Sequence, residues 1–373
     1  MAKAFGIVTS TPRRVNVYGL QDCRPAGAFS FLGRYRVIDF PISNLTNSGI
    51  ENIQVYLNKF PRSLTDHLGT GRQYNINSKN GRLQLLYCNH NNHNEVYNTD
   101  VSDYLDNMDY LNLISQEYVV IQPCYMVFKQ DFADILEEHI QSGADISMLY
   151  HKVNNGRDHF LSCRVVTVDK DQRITSLSEN RGNRASQSVF MDSYVMKKDL
   201  FIDLVKKARD YSSTFSLAQM ITKECEEQNL NIRGIQHKGY FAAICDLQSY
   251  YDASTELLDM KVARSLFSDD WPIYTRTTDS CPTEVFEGAN IYHSLVSDGC
   301  EIEGTVANSV IGRGVKIGKD AVVKNSIVLS YSEIGPGVHM EYQIVDKWAK
   351  VIKTKELIAK PDDPGYVKTA DRL

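Results

Sequence analysis

Residues 310–323 read VIGRGVKIGKDAVV, a stretch in which apolar residues return about every six positions. A six-residue period is too long for one turn of an α-helix and too regular for loops. It is typical of a parallel β-helix, in which each short strand forms one face of a triangular coil. An antiparallel sandwich would instead need alternation with period 2 over longer strands, which is absent. The period extends on both sides of this stretch, through Val296, Ile302, Ile311, Ile317, Val323, Leu329, Ile334, Met340, Val345 and Val351.

The part of the chain before this β-helix has a different pattern, in which short apolar runs alternate with amphipathic helical runs. The strand-like runs are FGIVT, NIQVYL, YVVIQP, ISMLYHKV, CRVVTVD and YVMKK, and the helical ones include DFADILEEHIQSG and FSLAQMITKECEEQ. This alternation predicts an α/β domain of the doubly wound, Rossmann-like class, with a mostly parallel sheet covered by helices. A long helix over about 246–267 is predicted to close it. The predicted organisation is a first domain over 1–267, a linker over 268–288 and the β-helix over 289–373.

The amino-acid composition makes some partners and locations of the protein less plausible than others. The chain has 373 residues, of which 42% are hydrophobic, and a net charge of −5. Without a basic excess, nucleic acid and anionic membranes are not expected as partners. The absence of an apolar run of about 18 residues, and a start at Met1-Ala2-Lys3 that leads straight into a strand, indicate a cytoplasmic protein. The eight cysteines form no C-x-x-C pair, which predicts reduced and mostly buried thiols.

The densest metal-like cluster is CNHNNHNE, residues 88–95, which contains Cys88, His90, His93 and Glu95. These four side chains are of types that bind transition metals. The run is rich in Asn, however, and metal ligands usually lie on framed elements with supporting hydrogen bonds. A solvated loop is therefore the favoured interpretation, with a metal site as the alternative.

A second stretch of the sequence points to one particular protein family. Residues 33–57, GRYRVIDFPISNLTNSGIENIQVYL, resemble the signature of glucose-1-phosphate adenylyltransferases, the ADP-glucose pyrophosphorylases of glycogen and starch synthesis. EYVVI at 117–121, KQDF at 129–132 and GYF…SYYDAS at 239–254 continue the resemblance in order, over most of the chain. The resemblance implies a nucleotidyltransferase domain of the GT-A-like type, followed by a left-handed parallel β-helix of hexapeptide repeats.

The reaction of that family sets demands on its site. A phosphate oxygen of glucose 1-phosphate attacks the α-phosphorus of ATP and pyrophosphate leaves, so the site needs N–H donors, cations and Mg²⁺ held by carboxylates. The family's loop G-G-x-G-T-R-L aligns here with 9–15, Thr-Ser-Thr-Pro-Arg-Arg-Val. The glycines are gone, and Pro12 has no N–H to offer an anion. Arg14 stands at the loop arginine, so residual nucleotide binding is expected there if anywhere.

The aligned catalytic positions are also changed. The two metal-binding aspartates correspond to Tyr125 and Ala243, and the lysine that binds the sugar phosphate corresponds to Asn180. A second lysine corresponds to Leu217, and G-T-A-D-A aligns with 99–103. A phenol is a poor Mg²⁺ ligand and a methyl group is none. The resemblance therefore implies no catalytic residues and no cofactor in this chain, with Mg²⁺ held by a catalytic partner.

This combination resembles the non-catalytic, D-type subunit of bacterial ADP-glucose pyrophosphorylases. The resemblance implies assembly with a catalytic homologue, as a heterotetramer, and regulation by small anions such as sugar phosphates, phosphate or AMP. Such effectors would bind basic residues near the contact between the first domain and the β-helix, although Gln21-Asp22 replaces the family's basic pair. The candidates are Arg24, Arg34, Arg36, Arg62, His67, Lys347 and Lys350. The competing interpretation of each is a solvated or ion-paired charge.

Three other functions fit parts of the sequence. One is an active nucleotidyltransferase with a rebuilt metal site that uses Asp100, Asp103 or Asp131, although Asp131 is better placed to begin a helix. A second is a hexapeptide acyltransferase with His339 as its base. A third is a protein that binds a sugar phosphate without a catalytic partner. Open strand edges of a β-helix are commonly covered by another subunit, which favours assembly.

Overall fold

The computed structural model describes residues 3–89 and 94–373. His90 and His93 of the metal-like cluster lie outside these residues. All eight cysteines are described and are free thiols, and five of them are buried, which confirms the prediction that most of the cysteines are buried. No helix in the described ranges combines the length and the apolar character that crossing a bilayer requires.

The first domain contains the predicted alternation of strands and helices. Its strands are β1 (Ala4–Val8), β2 (Ser30–Phe31), β3 (Tyr35–Arg36), β4 (Asn52–Leu57), β5 (Arg82–Tyr87), β6 (Tyr118–Gln122), β7 (Met126–Phe128), β8 (Ile146–Val153), β9 (Arg164–Val168), β10 (Ile174–Glu179), β11 (Gln187–Lys197), β12 (Ile232–Gln236) and β13 (Phe241–Ala243). Its helices are α1 (Asp39–Asn47), α2 (Arg62–Leu68), α3 (Asp100–Asp106), α4 (Met108–Asn112), α5 (Phe132–Ser142), α6 (Lys198–Tyr211), α7 (Leu217–Glu226), α8 (Leu247–Glu256) and α9 (Met260–Leu266).

The main sheet is mixed rather than mostly parallel. Its order is β10-β9-β11-β6-β1-β4-β5, and β8 joins it beside β11 and carries β12 on its other side. Strands β6, β1, β4 and β5 are parallel neighbours, as the sequence predicted. Strand β11 runs antiparallel to β6, β8 and β9. The strand-like run at 194–198 in the sequence covers only the end of β11. The direction of β11 depends on which strands it pairs with, and this pairing leaves no local signal in the sequence.

The helix ends explain two further outcomes. Asp131 accepts a hydrogen bond from the Ala133 N–H and begins α5, which confirms its predicted role, and Gly143 ends that helix with a left-handed backbone. The single helix predicted over about 246–267 is wrong, because α8 ends at Glu256 and α9 begins at Met260. Asp259 adopts an extended conformation between them and caps α9 by accepting from the Lys261 N–H.

The C-terminal part is a parallel β-helix of three five-stranded sheets. In most of the β-helix, residues that pair between successive coils lie 17 positions apart, as Val310, Ile327 and Ile344 do, so each regular coil contains three faces of roughly six residues. The spacing is 15 where β15, β16 and β17 pair with the next coil and 22 between β25 and β28. Of the ten predicted periodic residues, nine are buried and Val296 is partly buried. The strands are β14 (Glu284–Val285), β15 (Asn290–Tyr292), β16 (Leu295–Val296), β17 (Glu301–Ile302), β18 (Thr305–Ala307), β19 (Val310–Ile311), β20 (Lys316–Ile317), β21 (Val322–Lys324), β22 (Ile327–Val328), β23 (Glu333–Ile334), β24 (His339–Glu341), β25 (Gln343–Val345), β26 (Lys350–Val351), β27 (Glu356–Ile358) and β28 (Gly365–Val367).

One hydrophobic core joins the two parts of the chain. Val310, Ile327 and Ile344 of the β-helix belong to the same buried cluster as the strands of the first domain. Close contacts support this junction: Gly33 has a left-handed backbone, and a side chain there would clash with Ser297. The Tyr250 hydroxyl donates to the Ser30 carbonyl oxygen at 2.6 Å in the same region. We call this junction the interdomain contact.

Candidate active site and effector site

The loop after β1 lines a cavity of about 320 Å³ in the first domain. Thr9 to Arg14 form one wall. The rest of the lining is mostly polar and includes four charged side chains of other elements, namely Asp100, Arg164, Glu179 and Asp192. The loop is tied to the sheet, because the Thr9 N–H donates to the Gln122 carbonyl oxygen at 2.9 Å. This cavity is therefore the place where the aligned nucleotide loop lies. We call it the loop cavity.

Arg14, the predicted residue for nucleotide binding, is already paired inside the loop cavity. Its Nη2 donates to the Asp192 carboxylate and, at 2.5 Å, to the Tyr125 hydroxyl. The Tyr125 hydroxyl in turn donates to Asp192 Oδ2 at 2.5 Å. Burial lowers the pKa of Arg14, but Asp192 and Tyr125 more than offset this, so its pKa lies well above the usual value. The guanidinium stays charged, and its charge faces a carboxylate of this chain.

The two aligned metal positions meet in space, as they would in a working site. Strands β7 and β13 pair so that Met126 lies opposite Ala243, and the Ile244 N–H donates to the Tyr125 carbonyl oxygen at 2.9 Å. Burial raises the pKa of the Tyr125 phenol well above its usual value, against an opposite effect of Arg14. A neutral phenol and a methyl group do not fit Mg²⁺, which prefers carboxylates and water. Within the described ranges, no group of three or more His, Cys, Asp or Glu side chains could hold a metal ion.

The alternative metal ligands have other contacts in the structure. Asp100 lines the loop cavity, but its Oδ1 accepts from the Leu217 N–H at 3.1 Å at the start of α7. Asp103 is buried, its Oδ2 accepts from the Ser10 hydroxyl at 2.5 Å, and burial raises its pKa to about 7. Asp131 begins α5, as described above. These three carboxylates therefore act in hydrogen-bond networks of the fold.

Asn180, at the aligned sugar-phosphate lysine, organises a loop. Its Nδ2 donates to the carbonyl oxygens of Gly156, His159 and Phe160, and its Oδ1 accepts from the Gly182 N–H and from Gln187 Nε2. The side chain is buried, with every donor and acceptor used. If the Asn180 side chain turned toward a sugar phosphate, it would lose the hydrogen bonds that hold this loop in place.

The effector candidates separate into two groups. Arg24, Arg36 and Lys347 interact electrostatically at the interdomain contact. Their neighbour His67 is buried and lies 2.7 Å from Asp39 Oδ1. The others are more exposed: Arg34 lies over the ring of Tyr35, Arg62 is in the first turn of α2, and Lys350 bonds to Glu333 at 2.5 Å.

Within the first group, Arg24 pairs with a carboxylate, whereas burial disfavours the charges of Arg36 and Lys347. Arg24 is buried, and its Nη2 donates to the Asp346 carboxylate and to Thr369 Oγ1. Arg36 Nη1 donates to the Ser63 carbonyl oxygen, and burial lowers the pKa of Arg36, with Arg24 adding to the effect and Asp39 opposing it. Burial, then Arg36 and Arg24, lower the pKa of Lys347 to about 7. An anion bound beside Arg36 and Lys347 would therefore oppose the effect of burial and stabilise their charged forms.

Sequence reasoning missed some charged residues of both sites. Arg276 lowers the pKa of Arg36, and its Nη1 donates to the Asp66 carbonyl oxygen at 2.7 Å. Asp192 was missed in the loop cavity, although it is the one charged residue in the run VFMDSYVM. A carboxylate inside an otherwise apolar strand is the signal that could have identified it, because such a group needs a partner.

The remaining candidates lie apart from both sites. His339 is on β24, and its Nε2 is buried without a hydrogen-bond partner in the described structure. Cys88 accepts a weak hydrogen bond from Asn107, and Glu95 pairs with Lys59 at 3.1 Å. A larger cavity of about 570 Å³ lies beside α8, and Ala243, one of the two aligned metal positions, is part of its lining. Four carboxylates and one lysine line it, so its charge disfavours a nucleotide or sugar phosphate.

The two parts of the chain, the α/β domain and the β-helix, each match a known protein family. Residues 17–260 match the nucleotidyl transferase family, and residues 283–362 match the GlmU-like C-terminal hexapeptide family. The chain is 30% identical to a glucose-1-phosphate adenylyltransferase of Lachnospira eligens over 309 residues, 82% of this chain and 71% of the relative. It is 29% identical to the enzyme of that name from Clostridioides difficile over 322 residues, 85% of this chain and 82% of the relative.

A relative with another name matches over a greater length. The glycogen biosynthesis protein GlgD of Bacillus subtilis is 27% identical over 360 residues, 96% of this chain and 94% of the relative. The paired metal positions lie within the first of these family matches, and most of the hexapeptide β-helix lies within the second. The chain therefore belongs to the nucleotidyl transferase family, among the relatives of glucose-1-phosphate adenylyltransferase.

Proposed function

We propose that this chain is a non-catalytic, regulatory subunit of an ADP-glucose pyrophosphorylase in glycogen biosynthesis. The observation that carries the proposal is the chemistry at the two aligned metal positions, where a buried neutral phenol and a methyl group replace carboxylates. Without Mg²⁺ at this place, the charge that develops during transfer of the nucleotidyl group lacks the metal ion that would stabilise it. The match to the GlgD protein over nearly its full length supports the same assignment.

Assembly with a catalytic homologue is the second part of the proposal. Strands β14, β15 and β16 each pair on one side only within the described structure, which leaves an open edge on the first coil of the β-helix. Apolar side chains are exposed there, with Val285 53% and Tyr292 57% accessible. An open edge with exposed apolar side chains favours a partner. We propose a homologous subunit as that partner, in a heterotetramer.

Regulation by a small anion is the third part. Arg36 and Lys347 are half-buried at the interdomain contact, and burial lowers the pKa of both. An anion such as a sugar phosphate, phosphate or AMP would relieve this unfavourable desolvation by pairing with them. Because the interdomain contact joins both domains, a ligand there could change the way that the subunit presents its β-helix.

The testing experiment measures ADP-glucose formation from ATP, Mg²⁺ and glucose 1-phosphate. The purified chain is assayed alone, and then in a mixture with the catalytic homologue of the same cell. No product from the chain alone, with a changed rate or a changed response to anions in the mixture, is the expected result. Turnover by the chain alone would instead support an active enzyme with a rebuilt site. An unchanged rate in the mixture, together with a melting shift on anion binding alone, would support a sensing protein without a partner.

A further inference from the structure

Asp192 has an unusual place in the main sheet. It lies inside β11 where the register of pairing shifts between Phe190 and Tyr194, and its backbone is left-handed, with φ of 46°. Few residues other than glycine adopt this conformation, although Asp and Asn tolerate it better than most. The bulge directs a carboxylate into the loop cavity, where its side chain is 13% exposed.

The carboxylate has the contacts that a bound phosphate would have. Arg14 and the Tyr125 hydroxyl both donate to Oδ2. Oδ1 lies 3.8 Å from Arg164 Nη1 and has no hydrogen-bond partner in the described structure. The Arg14 Nε is buried and has no hydrogen-bond partner in the described structure. A guanidinium with Nε and Nη2 on one edge is suited to an anion with two oxygens. Asp192 occupies one of these donors and leaves the other unused.

The charges around the loop cavity balance only because of Asp192. Its lining contains three arginines, Arg13, Arg14 and Arg164, and three carboxylates, Asp100, Glu179 and Asp192. A phosphate that entered would therefore add negative charge to a site without a positive excess, and would compete with Asp192 for Arg14. Without Asp192, the same lining would carry one net positive charge beside an unpaired guanidinium.

We propose that Asp192 is an internal anion that occupies the Arg14 guanidinium in place of a phosphate group, and thereby excludes polyphosphate ligands from the loop cavity. This makes Asp192 the residue that decides specificity in a cavity whose remaining arginines are still in place. The proposal concerns anion binding by this chain alone, so it holds or fails independently of any regulatory role.

The test is titration calorimetry with pyrophosphate, in the presence of a chelator, on the full-length chain and its variants. Asp192→Asn keeps the shape and tolerates the left-handed backbone, and Asp192→Gly removes the backbone strain, which favours folding. We expect at least tenfold tighter pyrophosphate binding by both variants than by the unmodified chain. Adding Arg14→Gln to Asp192→Asn should abolish the gain.

Asp203→Asn is the matched control, since it removes one negative charge from an exposed position of α6. It should leave pyrophosphate binding unchanged, and circular dichroism checks the folding of every variant. The proposal is overturned if neither Asp192 variant gains binding, if Asp203→Asn gains as much, or if the gain survives Arg14→Gln. It is also overturned if the unmodified chain binds pyrophosphate through Arg14, so that Arg14→Gln alone abolishes that binding.

Discussion

Arg24 of the first domain and Asp346 of the β-helix form a buried ion pair across the interdomain contact, 5% and 0% exposed. Asp346 also accepts from Tyr366 at 2.7 Å and from Thr369 at 2.5 Å, so every partner needed to hold its charge comes from the folded chain. Removing one side of such a pair strands a buried charge, which costs more than the pair itself contributes.

For this reason, Arg24→Met should lower the free energy of unfolding by about 3–5 kcal/mol. The double variant Arg24→Met with Asp346→Asn should be less destabilised than Arg24→Met alone, because no charge is left unpaired. Denaturant unfolding measures both. The control is Lys316→Met, which breaks an exposed pair with Glu301 on the β-helix and should change little. Equal effects of Arg24→Met and Lys316→Met would contradict this account.

The proposed binding of an anion at Lys347 should depend on pH in a predictable direction. Its pKa of about 7 means that it is charged below neutral pH and neutral above pH 8. Sulfate, which does not titrate in this range, should therefore bind more weakly as the pH rises from 6 to about 9. Lys347→Arg should bind sulfate with little pH dependence, since a guanidinium stays charged. Calorimetric titration at several pH values measures this, and a pH dependence that persists in Lys347→Arg would show that another group causes it.

Asp103 should make the folded chain less stable as the pH rises, whereas an ordinary ion-paired carboxylate makes a fold more stable as the pH rises. Its pKa is raised by burial from 3.8 to about 7 in the folded state, so the folded chain binds more protons than the unfolded chain between these values. Stability should fall as the pH rises through this window, by a contribution of the order of 4 kcal/mol.

Asp103→Asn should remove that contribution, so the variant should be more stable than the unmodified chain at pH 8 and similar to it at pH 4. Its amide oxygen can still accept from Ser10. Asp109→Asn, an exposed residue of α4, is the control and should leave the pH profile unchanged. Thermal unfolding between pH 4 and 8 measures the difference. An Asp103→Asn variant that loses stability equally at both ends would refute the assignment to titration.

Restoring the metal carboxylates alone should not restore catalysis. The double variant Tyr125→Asp and Ala243→Asp regains the two acids, but Pro12 still lacks an N–H and Asn180 still lacks a charge. We expect no ADP-glucose formation above background from this variant in the presence of Mg²⁺. Turnover comparable to that of a catalytic homologue would show that the changes at the loop and at Asn180 matter far less than argued.

The open edge of the first β-helix coil should govern assembly. Tyr292→Lys places a charge on the exposed face of β15, and we expect it to weaken association with the catalytic homologue at least tenfold. Tyr110→Lys, at a residue of α4 that is 45% exposed, is the control. Analytical ultracentrifugation of the mixtures measures both. Undiminished association of the Tyr292 variant would place the partner on another surface.

The sequence predicted best what repeats along it. The β-helix could be recognised because burial of side chains such as Ile317 and Val323 recurs with each face, and the strands and helices of the first domain could be recognised from local periodicity. The break before α9 had a local signal, Asp259 as a helix cap, which the apolar pattern on both sides obscured. The direction of β11 had no such signal.

Tertiary pairs of charges could not be predicted in the same way. The sequence suggests Arg24 as a residue that binds a ligand near the contact between domains. In the structure Arg24 pairs instead with Asp346, which lies 322 positions away in the chain. The alignment to a loop arginine points to Arg14 as a residue that binds an anion, but Asp192, 178 positions later in the chain, neutralises it. Charge pairs of this kind depend on the packed structure and leave no pattern between neighbouring residues.

The regularity of the β-helix creates an ambiguity that one residue removes. Val310, Ile327 and Ile344 present equivalent apolar side chains on successive coils, so apolar contact alone would let the first domain slide by one coil, roughly 4.8 Å, and find a similar surface. The coil positions equivalent to Asp346 are occupied by Leu329 and Gly312. Neither residue carries a negative charge that could pair with Arg24. The ion pair thus fixes the register between the first domain and the β-helix, because a shift by one or two coils would leave the charge of Arg24 without a carboxylate.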